Sequence, residues 1–304
     1  HSMIQASVAE RLQKGIAWLL FFGFFCLTAC AASDSAAPDA AETESAVAQL
    51  STAAQEETKP LLLPEASGTV VFTGAGVTID ASHTDQGYVM IQCEASDKRL
   101  KARIATSVQT YYYDLPGGVG YSVFPLQMGD GPYTIRVMEQ VEDDLYALRY
   151  GVEINVTLAS ETIPFLYPSQ YVWYDADSAT VQKARELARG MTDQTEIAKA
   201  FYKFVVKHMT YDNELARTVE TGYLPSADAS LESGTGICFD YAALLAVMLR
   251  SEGIPTRMLI GTVTPENLYH SWNSVYLEGK WVWMDPTLDG SRHKESDYIT
   301  ERIY

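Results

Sequence analysis

Between residues 145 and 158 hydrophobic and polar positions alternate. Tyr146, Leu148, Tyr150, Val152, Ile154, Val156 and Leu158 share one parity, while Arg149, Glu153, Asn155 and Thr157 share the other. A period of two marks a strand with one face buried, so this segment predicts a half-buried strand or a long bent pair. Leu100, Ala102, Ile104, Thr106 and Val108 alternate with Lys101 and Arg103, and Tyr133, Ile135 and Val137 alternate with Thr134 and Arg136. Turn chemistry separates the runs at Pro116-Gly117-Gly118 and Asp130-Gly131-Pro132. Several short strands with such punctuation predict an all-β, immunoglobulin-like sandwich over residues 63–160. The tyrosines at 111, 112 and 113 read as part of its core and edges rather than as a ligand patch.

After Pro164 the period lengthens. Val181, Ala184, Ala188 and Met191 fall on one helical face, with Gly190 placed as a C-terminal cap. Asp193 and Glu196 make a capping box for a second helix, whose inner face carries Ile197, Phe201, Phe204 and Val205. A polar loop over 213–233 leads to a third helix. There Ala242, Leu245 and Leu249 repeat at helical spacing, and Gly253 and Pro255 end the run. Mixed helices and strands over 161–304 predict a second, α+β domain.

The N-terminal sequence is of a different kind. Arg11 and Lys14 precede an apolar run over 16–27 that is short for a permanent span, the build of a secretory signal peptide over residues 1–29. Leu27-Thr28-Ala29-Cys30 has the form of a bacterial lipobox, with Cys30 as the acylated first mature residue. Residues 30–62 are mostly Ala, Ser, Thr, Glu and Asp, too poor in large apolar side chains for a core, and read as a disordered tether. The mature protein is therefore expected outside the cytoplasmic membrane, on its outer face, held by lipid alone. His1-Ser2 before Met3 reads as an expression remnant.

A formal net charge of -17 argues against nucleic acid as a partner, since no basic stripe is present to displace counterions. Of four cysteines, Cys26 lies in the leader and Cys30 in the lipobox, leaving Cys93 and Cys238 for the folded part. Cys93 shares a strand face with Val89 and Ile91 and reads as a small buried hydrophobe. No Cys/His pair has zinc spacing and no acidic loop has calcium spacing, so neither metal nor cofactor is expected.

Cys238 stands apart. Its place at the start of a helix puts unpaired backbone N–H groups and the positive end of the dipole beside the sulfur, which favours thiolate over thiol. Gly234 and Gly236 leave room for backbone or substrate to pass close by. Asp240 in the same turn works against the thiolate unless it points elsewhere, which is expected.

A second part of the site follows from a hairpin. Residues 269–277 and 280–285 are both strand-like, and Glu278-Gly279 fits a two-residue turn. That register sets Leu277 against Lys280, Tyr276 against Trp281 and Trp272 against Asp285. His270 shares a face with Trp272, so Asp285 is its diagonal neighbour, roughly 7 to 8 Å away at the backbone and within side-chain reach. A slip of one residue would put the two on opposite faces. A thiol, an imidazole and a carboxylate are thus available for covalent acyl chemistry: sulfur attacks a carbonyl, the ring moves the proton, and the carboxylate fixes the tautomer.

The wording around these positions, Gly236-Ile237-Cys238, His270-Ser271-Trp272-Asn273 and Trp283-Met284-Asp285-Pro286-Thr287, resembles the transglutaminase-like superfamily, relatives of papain-fold thiol enzymes. The resemblance runs from about Tyr171 to the C-terminus and implies catalytic roles for Cys238, His270 and Asp285. The superfamily includes peptidases, cross-linking enzymes and inactive binding modules. Three readings therefore stay open: hydrolysis of a peptide or glutamine-type amide, which is favoured because water is always at hand; transfer to an amine; and a non-catalytic surface or adhesion module. The partner expected is a protein or peptide substrate, a cell-wall peptide among the candidates. For the oxyanion, the Cys238 backbone N–H is one expected donor and Tyr211 the side-chain candidate. Gly236, Trp272, Trp283 and Tyr223 are expected to line the cleft, with Asn273 structural.

Overall fold

The computed structural model describes residues 59–288 and 292–304. The expected leader, the expected lipidation of Cys30 and most of the expected tether lie outside the described residues.

The N-terminal region is all-β. Its strands are β1 (Val71–Gly74), β2 (Val77–Asp80), β3 (Tyr88–Cys93), β4 (Leu100–Ala105), β5 (Thr110–Asp114), β6 (Ser122–Pro125), β7 (Gly131–Glu142) and β8 (Leu145–Val156). They form two four-stranded antiparallel sheets, ordered β1-β2-β3-β6 and β5-β4-β7-β8. Ile79, Val89 and Ile91 from the first meet Ala102, Ile104, Ile135 and Val137 from the second in one core cluster. Cys93, opposite Val77, is a free, buried member of that core, and burial raises its thiol above the ordinary range.

The 145–158 alternation departs from a single face. Val137 pairs with Tyr150 but Met138 with Leu148, so Arg149 is the extra residue of a bulge. Leu148 is consequently exposed, while Arg149 turns to Glu139 (2.9 Å) and to the Ala75 carbonyl (2.9 Å).

The C-terminal region contains α1 (Ala179–Ala188), α2 (Gln194–His208), β9 (Thr210–Tyr211), α3 (Asn213–Thr218), α4 (Ala227–Ser233), β10 (Thr235–Gly236), α5 (Cys238–Ser251), β11 (Thr256–Val263), β12 (Leu268–Leu277), β13 (Lys280–Met284) and β14 (Tyr298–Ile303). Gly190 adopts φ 74° beyond α1, and Asp193 caps α2 through the Glu196 amide at 3.0 Å. The sheet runs β13-β12-β11-β14, and α5 packs on β11 and β12 with α1, α2 and α4 around it.

Helix α5 is buried on every side except at Phe239, rather than along one apolar stripe. Burial extends to Arg250, whose guanidinium donates to the carbonyls of Thr256 (2.8 Å), Tyr167 (2.7 Å) and Tyr304 (3.0 Å). Burial lowers its pKa to about 10, and three carbonyl dipoles stand in for a carboxylate.

The two regions share their core. Residues Thr58–Tyr304 form one compact unit, and one hydrophobic cluster runs from Val77 to Tyr304. Tyr111 and Tyr113 lie at this junction, each packing edge-on against Tyr304 at 5.4 and 6.2 Å. Of the three consecutive tyrosines only Tyr112 faces outward.

Candidate active site

Cys238 opens α5 directly after the N-cap residue Ile237. The chain is brought there by a short parallel clip in which Gly236 of β10 pairs with Tyr211 of β9, with bonds from Thr210 N to Gly234 O (2.8 Å) and Asp212 N to Gly236 O (2.9 Å). Asp240 folds back to accept from the Ile237 amide and the Tyr223 hydroxyl, both at 2.8 Å. Its carboxylate thus completes the helix start instead of opposing the sulfur, and burial, offset by these two bonds, raises its pKa. Gly236 is required by this fold-back: a Cβ there would lie 2.6 Å from the Asp240 Cβ. That is its role, and it is not among the residues lining the cavity at Cys238.

The hairpin has the expected register. Leu277 pairs with Lys280 and Tyr276 with Trp281, and both turn residues have positive φ, 52° at Glu278 and 80° at Gly279. Asp285, one residue past β13, reaches the His270 Nε2 with Oδ2 at 2.7 Å, and both side chains are buried. The Asp285 Oδ1 accepts from the amides of Thr287 (2.8 Å) and Leu288 (3.1 Å), and its Oδ2 also accepts from the Tyr298 hydroxyl at 2.7 Å. Every lone-pair direction of the carboxylate is therefore engaged.

The Cys238 side chain is the other neighbour that interacts with the His270 ring. Burial disfavours the imidazolium, but the bonds from Asp285 and Cys238 outweigh it and push the ring up to about 9. Nε2 is committed to Asp285, which leaves Nδ1 for the sulfur. The structure thus pairs His270 with Asp285 as the hairpin spacing predicts, and sets Cys238 beside them.

Tyr211 lies beside the nucleophile, in the wall of the same cavity. Burial foremost, then the neighbouring Cys238, pushes its phenol up to about 12, so it is a neutral donor at physiological pH.

Cys238 faces a cavity of about 660 Å³. Tyr223 lines it as expected; Trp272 and Trp283 do not. Both instead pack edge-on against Tyr298, at 4.9 and 5.0 Å, and Trp272 stacks on His270 at 6.1 Å, so the indoles shield the His270–Asp285 pair from behind. Asn273 ties β12 to α5 through the Ala242 carbonyl at 3.0 Å.

Tyr298 was not foreseen from the sequence, nor was the wall formed by Tyr171, Tyr269, Arg302 and Tyr304.

Residues 181–286 match the model of the transglutaminase-like superfamily, and the chain carries a transglutaminase-like domain. Among solved structures it is similar to a candidate cysteine protease from Cytophaga hutchinsonii, at 14% identity over 71% of this chain and 76% of that chain with TM-score 0.41. It is also similar to the periplasmic domain of TgpA from Pseudomonas aeruginosa, at 15% identity over 71% and 94% with TM-score 0.33. LapG from Legionella pneumophila aligns at 18% identity over 42% and 86% with TM-score 0.29. No curated protein matches the sequence.

Proposed function

We propose that this protein is an extracytoplasmic thiol enzyme that cleaves peptide or glutamine-type amide bonds through an acyl-enzyme, with Cys238 as nucleophile, His270 as acid and base, and Asp285 as the group that orients His270. The observation that carries the reading is the buried ring of His270, hydrogen-bonded by Asp285 and raised in proton affinity by Cys238 as well. A ring whose proton affinity is raised from both sides holds the proton as the acid that a leaving amine needs. Sulfur forms a bond to the carbonyl carbon, and the oxyanion is met by the Cys238 N–H and the Tyr211 hydroxyl. The C–N bond then breaks as Nδ1 delivers its proton to nitrogen. Water, deprotonated by the same nitrogen, adds to the thioester and releases the acid and the thiol.

The same acyl-enzyme meeting an amine would give a cross-link; hydrolysis is preferred because it needs no acceptor subsite. On this reading the two N-terminal sheets are an immunoglobulin-like support, Cys30 carries the lipid that holds the protein at the outer face of the cytoplasmic membrane, and the substrate is a protein or peptide, with cell-wall peptides as candidates. The test is to incubate the protein with a peptide library and search intact mass spectra for a thioester adduct on Cys238, with a labelled amine added in parallel to detect transfer. No adduct, together with Cys238 alkylation no faster than that of free cysteine and indifferent to His270→Ala, would leave only a binding module.

A further inference from the structure

The wall of the Cys238 cavity carries one cation among the described residues, Arg302 of β14. Its guanidinium is held in place: Nη1 donates to the Thr110 carbonyl at 2.7 Å, and the group lies over the Tyr111 ring at 5.2 Å. Arg302 is exposed and among the described residues no carboxylate pairs with it, so most of its five donors are open to solvent or to a ligand in the cavity. Its charge reaches the neighbouring wall. Burial raises the phenols of Tyr171, Tyr269 and Tyr304, and Arg302 opposes that rise at each of them.

The strand order sets the backbone separation between this cation and His270. His270 pairs with Gly261 of β11, and the adjacent Ile260 pairs with Arg302. The backbones of β12 and β14 are thus two strand spacings apart, roughly 10 Å, the length of about three extended residues, and Arg302 meets the chemistry through the cavity it shares with Cys238. Glu220 also lines the cavity and repels a negative group placed near it, so an anionic substrate has one favourable orientation.

We propose that the cavity selects peptides that carry a carboxylate within about three residues of the scissile carbonyl, and that Arg302 is the residue that selects it. This rests on the thiol-enzyme reading above and adds a substrate class to it. The alternative role for Arg302 is to dock β14 onto the N-terminal region through Thr110 and Tyr111, and the experiment separates the two.

The probes are N-iodoacetyl-glycylglycine and its C-terminal amide, which place a carboxylate or a neutral group two residues from an electrophile, with iodoacetamide as the reference. Rates at Cys238 are read by peptide mass mapping of the full chain at low salt. The acid is expected to react faster than the amide by about fivefold after correction for free cysteine, the advantage to vanish in Arg302→Gln, to persist in part in Arg302→Lys, and to fade as salt is raised. An acid-to-amide ratio that is unity, or that is the same in Arg302→Gln as in the parent, overturns the proposal. So does a ratio that falls only in step with lost thermal stability, which Arg302→Lys would show by failing along with Arg302→Gln. Iodoacetamide reacting no faster than it does with free cysteine is a separate failure, that of the thiol-enzyme reading.

Discussion

Asp285→Asn is the substitution that strains this site most informatively, because the two oxygens of the carboxylate have incompatible replacements. Oδ1 takes two backbone amides, from Thr287 and Leu288, and Oδ2 takes the His270 ring and the Tyr298 hydroxyl. An asparagine must turn its NH2 toward one of these pairs of donors. Two backbone amides cannot reverse their polarity, whereas the Tyr298 hydroxyl can rotate and His270 can change tautomer, so the NH2 is expected on the histidine side. Nε2 then becomes an acceptor, the ring proton moves to Nδ1, and the nitrogen facing Cys238 can no longer take a proton.

The magnitude follows from the same bonds. His270 is pushed up to about 9 from an ordinary 6.5, on the order of 3 kcal/mol of preference for the imidazolium, against a burial that works the other way. Removing the charge beside it should lower the ring by about 1–3 units and slow acyl transfer by about 10³-fold or more. The assay is the pH profile of Cys238 alkylation by iodoacetamide, followed by intact mass, with the ring titration read by NMR. If the alkylation profile of Asp285→Asn superimposes on that of the parent, Asp285 does not govern the state of His270 and the proposed mechanism is wrong.

The other expectations are narrower. Tyr211→Phe removes an oxyanion donor and should slow acyl transfer by about 10²-fold while leaving alkylation of Cys238 nearly unchanged, because displacement at iodoacetamide develops no oxyanion; equal losses in both assays would assign Tyr211 to positioning the thiol. Tyr298→Phe deletes a 2.7 Å bond to Asp285, so it should cost about 1–2 kcal/mol in urea unfolding and, by leaving the carboxylate less satisfied, move the His270 titration upward rather than down. Arg250→Met strips three buried carbonyls of their donor and should destabilise by on the order of 3 kcal/mol, with Arg250→Lys recovering only part because an ammonium cannot span all three. For stability against pH, a histidine raised from 6.5 to about 9 contributes fully below about pH 6.5 and loses its contribution as pH rises through about 9, so the gap in urea midpoint between the parent and Asp285→Asn should narrow from pH 6 to pH 10; a gap that widens would reverse the sign of the coupling.

Short-range geometry explains which parts of this site were legible. Two residues of turn between two alternating runs set the register of β12 against β13, and register alone brings Asp285 to His270. A capping pattern likewise located the start of α2. What escaped depends on contacts between distant segments. The bulge at Arg149 answers to Ala75 and Glu139, so no period within 145–158 announces it. The burial of α5 everywhere but Phe239 depends on how many elements surround it, and a stripe of Ala242, Leu245 and Leu249 is what a half-buried helix would also show. Asp240 was expected to point away from the sulfur, but its partner Tyr223 lies in a loop with no periodic signal. Trp272 and Trp283 were assigned to the cleft because aromatics near a nucleophile exclude water. They do so from behind, since Tyr298 on a strand closing from the far side of β11 occupies the space between them.

That closing strand also gives the N-terminal sheets a part in the chemistry. β14 carries Tyr298 at one end, bonded to Asp285, and Arg302 near the other, in the cavity wall. Its path between is tight, because a Cβ at Gly261 would run into the Ile299 carbonyl and only glycine lets the strands approach so closely at the bulge. At its far end the strand is fastened to the N-terminal region, by the Tyr111 hydroxyl accepting from the Ile303 amide at 3.1 Å, and by Gln109 and Gln127 donating to the carbonyls of Glu301 (3.0 Å) and Ile303 (3.3 Å). An isolated four-stranded sheet would expose this edge, with its unpaired groups and Tyr304, to water. Here the N-terminal sheets cover it, so the strand that braces Asp285 and presents Arg302 takes its position from a region that supplies no candidate catalytic group. The N-terminal region is therefore part of the site's framework, and weakening its hold on β14 should disturb the His270–Asp285 pair and the cavity wall together.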